Sequence, residues 1–345
     1  MTRILVTGGG GFLGSAIVGK LVSRGEQVCS FSRQSYPELS RLGVRQIKGD
    51  LRCAVDVRNA CKEIDLVFHV AAKAGVWGDY RSYYETNYLG TRNVIDACRH
   101  QGVRRLIYTS SPSVIFNGRD MAGVDESIPY PAGYHAPYPA TKALAEQAVI
   151  AATDSMLSTI TLRPHLIWGP KDNHLVPRIL SRARQLRIIG KGDNLVDTTY
   201  IDNAAAAHIQ AADRLASHPH LSGKLYFISQ GEPIGLWDMV NAILKAGGLP
   251  PVRNRIPYQL AWMTGFALEG IYRLFRLNGE PRMTRFVANE LASTHWFNIR
   301  AAREELGYTP HVSTAEGLQH LSDWLGARRE RPAVAHAAEA IPPDG

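Results

Sequence analysis

Thr7-Gly8-Gly9-Gly10-Gly11-Phe12-Leu13-Gly14 is the stretch on which the reading of this chain turns. It follows a short apolar run, Ile4-Leu5-Val6, and precedes Ser15-Ala16-Ile17-Val18, which reads as a helix start. Strand, glycine turn, helix is the context in which glycines mark a dinucleotide site. Gly8 suits the tight turn, Gly11 lets backbone approach a pyrophosphate, and Gly14 lets the helix lie close on the strand. Around Phe12 and Leu13 the helix N-terminus offers unpaired N–H groups and a partial positive charge to phosphate. The first gap of this Gly-x-x-Gly-x-x-Gly pattern is one residue longer than the commonest fingerprint.

A chain of 345 residues can bury a large core, in one large domain or two intimate ones. Hydrophobic content of 45% and charged content of 20% are ordinary for a globular protein. The formal net charge is +8, but the basic residues are dispersed and no zinc-finger spacing or arginine-rich run occurs. No nucleic-acid partner is therefore expected. Cys29, Cys53, Cys61 and Cys98 have no metal-ligand spacing and are too few for a disulfide scaffold. No metal is expected, and free thiols fit a reducing cytoplasm. The chain enters a strand at once, so we expect no secretory leader, and no uncharged run is long enough to span a bilayer.

Strand-like runs recur at Ile4–Val6, Gln27–Phe31, Leu66–Val70, Arg105–Tyr108 and Thr159–Leu162. Amphipathic stretches lie between them, at Ala16–Ser23, Val55–Cys61, Thr91–His100 and Thr141–Ala152. This alternation predicts an α/β fold of Rossmann type, a doubly wound parallel sheet with right-handed crossovers. The second strand ends in Ser32-Arg33, where NAD-selective enzymes usually place a carboxylate for the ribose hydroxyls. A guanidinium instead pairs with a 2′-phosphate, which favours NADP(H) over NAD(H), unless Arg33 is only an exposed loop residue. Next comes Asp50-Leu51, with Asp50 available to the adenine, and the small Ala71 and Ala72 let a cofactor lie along the strand ends.

With these residues in view, the sequence resembles the extended short-chain dehydrogenases/reductases. The matching positions are the glycine turn, Asp50-Leu51, His69-Val70-Ala71-Ala72, Asn87–Thr91, Tyr108–Ser111, Tyr138–Lys142 and Leu162-Arg163-Pro164. They occur in the expected order over roughly the first two hundred residues, and an ordered set is far more specific than any member.

Tyr138 and Lys142 are four residues apart and share one face of a helix. Free tyrosine titrates near ~10, and a lysine cation beside it favours the phenolate. The resemblance implies that Lys142 also holds the nicotinamide ribose. Pro139 suits Tyr138 at the helix cap. Ser111 aligns with the family's catalytic serine and would hold the substrate oxygen; Ser113 and Ser110 compete for that role. Asn87 could order the catalytic helix, hold a relay water, or be a buried structural amide. His69 and His165 have no ligand spacing and read as structural or pocket-lining.

After Pro170 the nucleotide-binding pattern stops, apart from a return at Tyr200–Asn203 and Leu225–Ile228. We expect a nucleotide-binding domain over 1–170 plus about 200–230, an interleaved substrate lobe over about 171–199 plus 231–325, and a disordered tail over 326–345. Val196 stands where sugar-nucleotide epimerases carry an arginine for a diphosphate. Leu195-Val196-Asp197 with Tyr200-x-Asp202-Asn203 resembles the 3β-hydroxysteroid dehydrogenase branch instead. In Ile256–Leu277, Glu269, Arg273 and Arg276 share one side and leave a broad apolar face. That face could pack on the lobe's own core, line a greasy substrate pocket, or touch a membrane surface or partner enzymes. Ala71–Gly78 and Tyr84–Arg92 are most similar to the bacterial 2-alkyl-3-ketoacid reductases of long-chain olefin biosynthesis. The resemblance implies NADPH-dependent reduction of a hydrophobic β-ketoacid, and a homodimer formed through the helices at Thr91–His100 and Thr141–Ala152. A 3β-hydroxysteroid or sterol-4-carboxylate dehydrogenase is the alternative, with a nucleotide-sugar enzyme or a catalytically silent cofactor sensor behind it.

Overall fold

Strand β1 (Arg3–Thr7) runs through the middle of a wholly parallel seven-stranded sheet in the computed structural model, which describes residues 2–338. Its partners are β2 (Gln27–Ser32), β3 (Arg45–Lys48), β4 (Leu66–His69), β5 (Arg105–Thr109), β6 (Ser158–Pro164) and β7 (Leu225–Ile228). Across the sheet the order is β3-β2-β1-β4-β5-β6-β7. Strand progression reverses between β1 and β4, and ligands of open α/β sheets bind at the carboxyl ends on either side of such a switch.

The near-continuous apolar runs follow from burial on both faces. Helices α1 (Phe12–Ser23), α2 (Gly90–Gln101), α3 (Pro137–Ala151) and α4 (Ile201–Ser217) cover the sheet. Ile4 and Val6 join Ile17 and Val18 of α1 in one core, while Leu5 between them joins Val94 and Ile95 of α2 in another. This is the two-residue period of a strand with both faces covered. β3 escaped the sequence reading because Arg-Gln-Ile-Lys is polar, which the edge of the sheet permits.

The smaller lobe is built on a four-stranded sheet in the order Ile234–Gly235, Leu195–Val196, His295–Phe297, Met121–Val124. The expected boundaries need two corrections. Met121–Val124, assigned with 1–170, crosses over to pair with His295–Phe297. The helix Arg300–Leu306, assigned to the lobe, packs on α4 and β7 of the nucleotide-binding layer. Both are long-range pairings, which local composition does not encode. Helices α5 (Tyr258–Leu274) and α6 (Arg285–Ala292) complete the lobe. The last helix, α7 (Thr314–Ala338), extends through 326–338, where a disordered tail was expected. Ala and Arg are strong helix formers, and a charged composition does not prevent a helix from continuing. The rest of that predicted tail lies outside the described residues.

Candidate active site

The glycine turn sits at the switch point. Gly8 has φ +72°, and a Cβ there would come within 2.9 Å of the Ala71 Cα at the end of β4. A Cβ on Gly14 would lie 2.1 Å from the Gly8 carbonyl oxygen, so only glycine lets α1 start this close to β1. Gly11 is the N-cap of α1 and supplies no side-chain cap, leaving the first-turn N–H groups free of side-chain acceptors. These residues form a cradle that fits a pyrophosphate. Leu13 turns into the core at 7% exposure, and Leu51 packs beneath Gly90, so both shape the site from behind. Ala72 is exposed, and Ala71 and Phe12 are half-buried at the turn.

At the end of β2 the Ser32 hydroxyl is buried and has no hydrogen-bond partner among the described residues. Arg33 beside it is exposed, with no hydrogen bond or ion pair of its own among the described residues. Asp50 is not a free acceptor. Arg52 grips its carboxylate (Nη2 to Oδ2, 2.7 Å) and, with a smaller contribution from Arg33, holds it below the usual carboxylate range. Tyr36 is a residue the sequence reading missed. Its ring packs on Gly10, where a Cβ would be 2.1 Å from it, and no local pattern announces that contact.

Tyr138 and Lys142 lie on one face of α3. The cap is Ala136, so Tyr138 is inside the first turn rather than at the cap; prolines are tolerated there because first-turn N–H groups need no helical acceptor. The Lys142 amine is buried, donates to the Thr109 carbonyl (2.5 Å) and lies 4.2 Å from the centre of the Tyr108 ring. Burial brings its pKa down to about 7, with Glu146 pulling it back up. Tyr138 is half-buried as a residue, yet protein crowds its hydroxyl. Burial pushes its pKa up to about 12, and a hydrogen bond with Ser111 opposes the shift. Ser111 is thus one group that favours the phenolate, from across the site.

Ser111 caps the short turn Pro112–Ile115, accepting from the Ser113 N–H (3.2 Å) and the Ser113 hydroxyl (3.0 Å). Ser113 supports Ser111 from behind, and Ser110 is buried with its hydroxyl unpartnered. Asn87 takes the helix-ordering role. Its Nδ2 donates to Thr141 Oγ1 (3.1 Å), and its Oδ1 accepts from the Lys73 N–H (2.7 Å), tying the segment after β4 to α3.

His69 is structural, as expected. Its ring bridges Thr7 (2.7 Å) and Thr91 (2.9 Å), and burial with the Lys142 charge brings its pKa down to about 3. Thr91 gives its single proton to the Asn87 carbonyl (2.6 Å), so it accepts from Nε2–H of a neutral His69. His165 links the two lobes. It contacts Asp197 (2.6 Å) and His295 (3.1 Å), and His295 reaches the Glu290 carbonyl (3.0 Å).

Two further acids were missed. Glu146 continues the Tyr138–Lys142 row by another four residues and forms a fully buried pair with Arg163 (2.5 Å), also accepting from Tyr130 (2.6 Å). Its spacing was the available signal. Glu290 on α6 lies close enough to raise the Tyr138 pKa, and burial pushes its own up to about 7. It comes from the distant lobe, and no motif marks it.

The model of the 3-beta hydroxysteroid dehydrogenase/isomerase family matches residues 5–259. The chain belongs to that family. It is an NAD(P)-dependent oxidoreductase. The 2-alkyl-3-oxoalkanoate reductase of Stenotrophomonas maltophilia (strain K279a) is 51% identical over 324 residues, 92% of this chain and 98% of the relative. The 2-alkyl-3-oxoalkanoate reductase of Shewanella oneidensis is 47% identical over 331 residues, 93% and 86% of the two chains. The decarboxylating sterol-4-alpha-carboxylate 3-dehydrogenase of Homo sapiens is 34% identical over 327 residues, 92% and 86%. Among solved structures, MoeE5 in complex with UDP-glucose and NAD superposes with a TM-score of 0.71 at 27% identity, over 95% of this chain and 99% of that one. The crystal structure of gox2253 gives 0.76 at 26% identity, over 96% and 99%.

Proposed function

We propose that this protein reduces the ketone of a 2-alkyl-3-oxoalkanoate to the 2-alkyl-3-hydroxyalkanoate with NADPH, the chemistry of long-chain olefin biosynthesis. The observation that carries this reading is the Tyr138 phenol beside Ser111, on the helix face that also carries Lys142. Burial keeps that phenol protonated at neutral pH, so it has a proton to give the substrate oxygen. The substrate class rests on the two bacterial reductases that match nearly the whole chain.

Bound along Gly8–Gly14 and the ends of β1, β2 and β4, the nicotinamide cofactor supplies a hydride to the carbonyl carbon. The Ser111 hydroxyl donates to the carbonyl oxygen and steadies the charge that builds there. Tyr138 gives that oxygen its proton. Lys142 holds the nicotinamide ribose and returns positive charge to the phenolate. Arg33 pairs with the 2′-phosphate, and the unpartnered Ser32 hydroxyl beside it has the capacity to join it.

The human sterol dehydrogenase relative gives the second reading, the same residues working oxidatively on a 3β-hydroxysteroid or sterol-4-carboxylate. A nucleotide-sugar substrate, as bound by MoeE5, is disfavoured. Val196 is 1% exposed within the lobe sheet, where it offers a diphosphate nothing. We further propose a homodimer packed through α2 and α3, and a cytoplasmic location, which the free, buried thiols of Cys61 and Cys98 support.

The test follows nicotinamide absorbance with NADPH or NADH and a long-chain 2-alkyl-3-oxoalkanoate, beside NAD with a 3β-hydroxysteroid. Fast NADPH oxidation with the ketoacid is expected, and turnover only with the steroid and NAD would overturn the proposal. Arg33→Ala should raise KM for NADPH about tenfold and leave KM for NADH unchanged; equal effects on both would remove Arg33 from the 2′-phosphate.

A further inference from the structure

Helix α5 is attached to the protein by a narrow stripe. Of its seventeen residues only Ala261, Gly265 and Glu269 are buried. The stripe sits tightly on the start of α6. A Cβ on Gly265 would lie 2.6 Å from the Thr284 carbonyl carbon, and Glu269 takes Arg285 in a two-pronged pair (2.7 and 2.9 Å). At 100° per residue, the direction opposite this stripe is occupied by Leu260, Met263, Ala267, Gly270 and Leu274.

This inverts the usual surface helix, whose apolar stripe faces the core. Leu260 is 54% exposed, Met263 63% and Leu274 77%. Among the described residues, eight of the fourteen exposed large hydrophobic side chains fall between Tyr258 and Leu277. Within 253–282 the exposed charges are all positive: Arg253, Arg255, Arg273, Arg276 and Arg282. Of the two acids in the same span, Glu269 is buried and Glu280 is paired with Arg178. No helix among the described residues is long and apolar enough to cross a membrane.

We propose that this face seats the protein on an anionic lipid surface, with α5 lying in the interfacial plane. An outward apolar face rimmed by arginine is what such a surface binds, the apolar side chains entering the acyl boundary and the guanidiniums meeting lipid phosphates. A second copy of the chain fits less well, because pairing the patch with itself brings arginines together. The patch also touches the segment that follows β4. Trp77, in the segment after β4, packs edge-on against Tyr272 (6.3 Å) and carries the Arg273 guanidinium over its ring (5.3 Å). On the reductase reading, which this last point alone rests on, a carboxylate with two alkyl chains dissolves in the bilayer, and the seated protein meets it there.

Flotation of the full-length protein with vesicles tests the proposal without any turnover. Vesicles of phosphatidylcholine with phosphatidylglycerol should carry the protein up the gradient, those of phosphatidylcholine alone much less, and added salt should release it. The double variant Met263→Asp, Leu274→Asp, altered only at exposed positions, should lose flotation while keeping wild-type thermal unfolding and NADPH oxidation in detergent. Arg276→Ala and Arg282→Ala should each weaken binding about fivefold. The proposal is overturned if the wild type fails to float with anionic vesicles, or if the double aspartate variant floats as well as wild type. It is equally overturned if that variant dissociates a wild-type oligomer in light scattering, which would give the face to a second copy.

Discussion

Two helices of this molecule each turn inward a row of residues at spacings of four, and each row ends in a buried glutamate held by an arginine. On α3 the row is Tyr138, Lys142, Glu146, closed by Arg163; on α5 it is Ala261, Gly265, Glu269, closed by Arg285. Around its row α3 also buries Pro139, Thr141, Ala143, Ala145 and Val149, so it is embedded and its polar groups are fixed from several sides. α5 buries nothing else. The same helical period therefore makes a rigid platform for proton chemistry in one place and a clip for an outward-facing apolar surface in the other. What differs is the partner: a parallel sheet with its core against α3, and little more than the start of a single short helix against α5.

The largest effect should come from breaking the α3 pair. Glu146 and Arg163 are 0% and 1% exposed, so Arg163→Met strands a buried carboxylate and should cost about 3–5 kcal/mol in denaturant unfolding. Adding Glu146→Leu should recover much of the loss. Arg285 is 27% exposed, so Arg285→Met should cost clearly less, and equal losses would erase the contrast between the helices. Next comes the clip. Gly265→Val drives a side chain into the Thr284 backbone and should cost about 1–3 kcal/mol. Gly270, on the outer face of the same helix, has open space within 4 Å of where a Cβ would stand, and Gly270→Ala should stabilise by about 1 kcal/mol. The smallest readout is a slope. The Lys142 pKa is about 7 when folded against an ordinary 10.5, so the unfolded chain binds more protons between those values. Unfolding free energy of the wild type relative to Lys142→Met should therefore rise with pH from 7 towards 10.5, and a flat difference would mean the amine is not desolvated.

The sequence revealed the nucleotide-binding half well because a sheet covered on both faces writes itself as apolar runs, and because Gly14 answers a steric demand set by Gly8 in the same turn. β1, β2, β4, β5, β6 and β7 were legible for that reason, while the polar edge strand β3 was not. Periodicity located α5 and grouped Glu269 with Arg273 and Arg276, but period alone does not say which face the protein takes. Of these three charged residues, Glu269 turned inward while Arg273 and Arg276 stayed exposed. That Tyr138 and Lys142 share one helix face was legible from their spacing. The electrostatics between them were not, because Lys142 is drawn to a carbonyl on β5 and Ser111 reaches Tyr138 from another turn. Glu290, Tyr36 and the His165–His295 link depend on chain segments far apart in sequence, which a single sequence does not pair.

The most direct test of the central claim compares wild type with Tyr138→Phe, using NADPH and a 2-alkyl-3-oxoalkanoate, and measures NADPH binding by fluorescence in parallel. Loss of general-acid catalysis should lower kcat by about 10²–10⁴-fold while NADPH affinity stays within about twofold of wild type. A variant that oxidises NADPH at the wild-type rate would contradict the assignment of proton transfer to Tyr138.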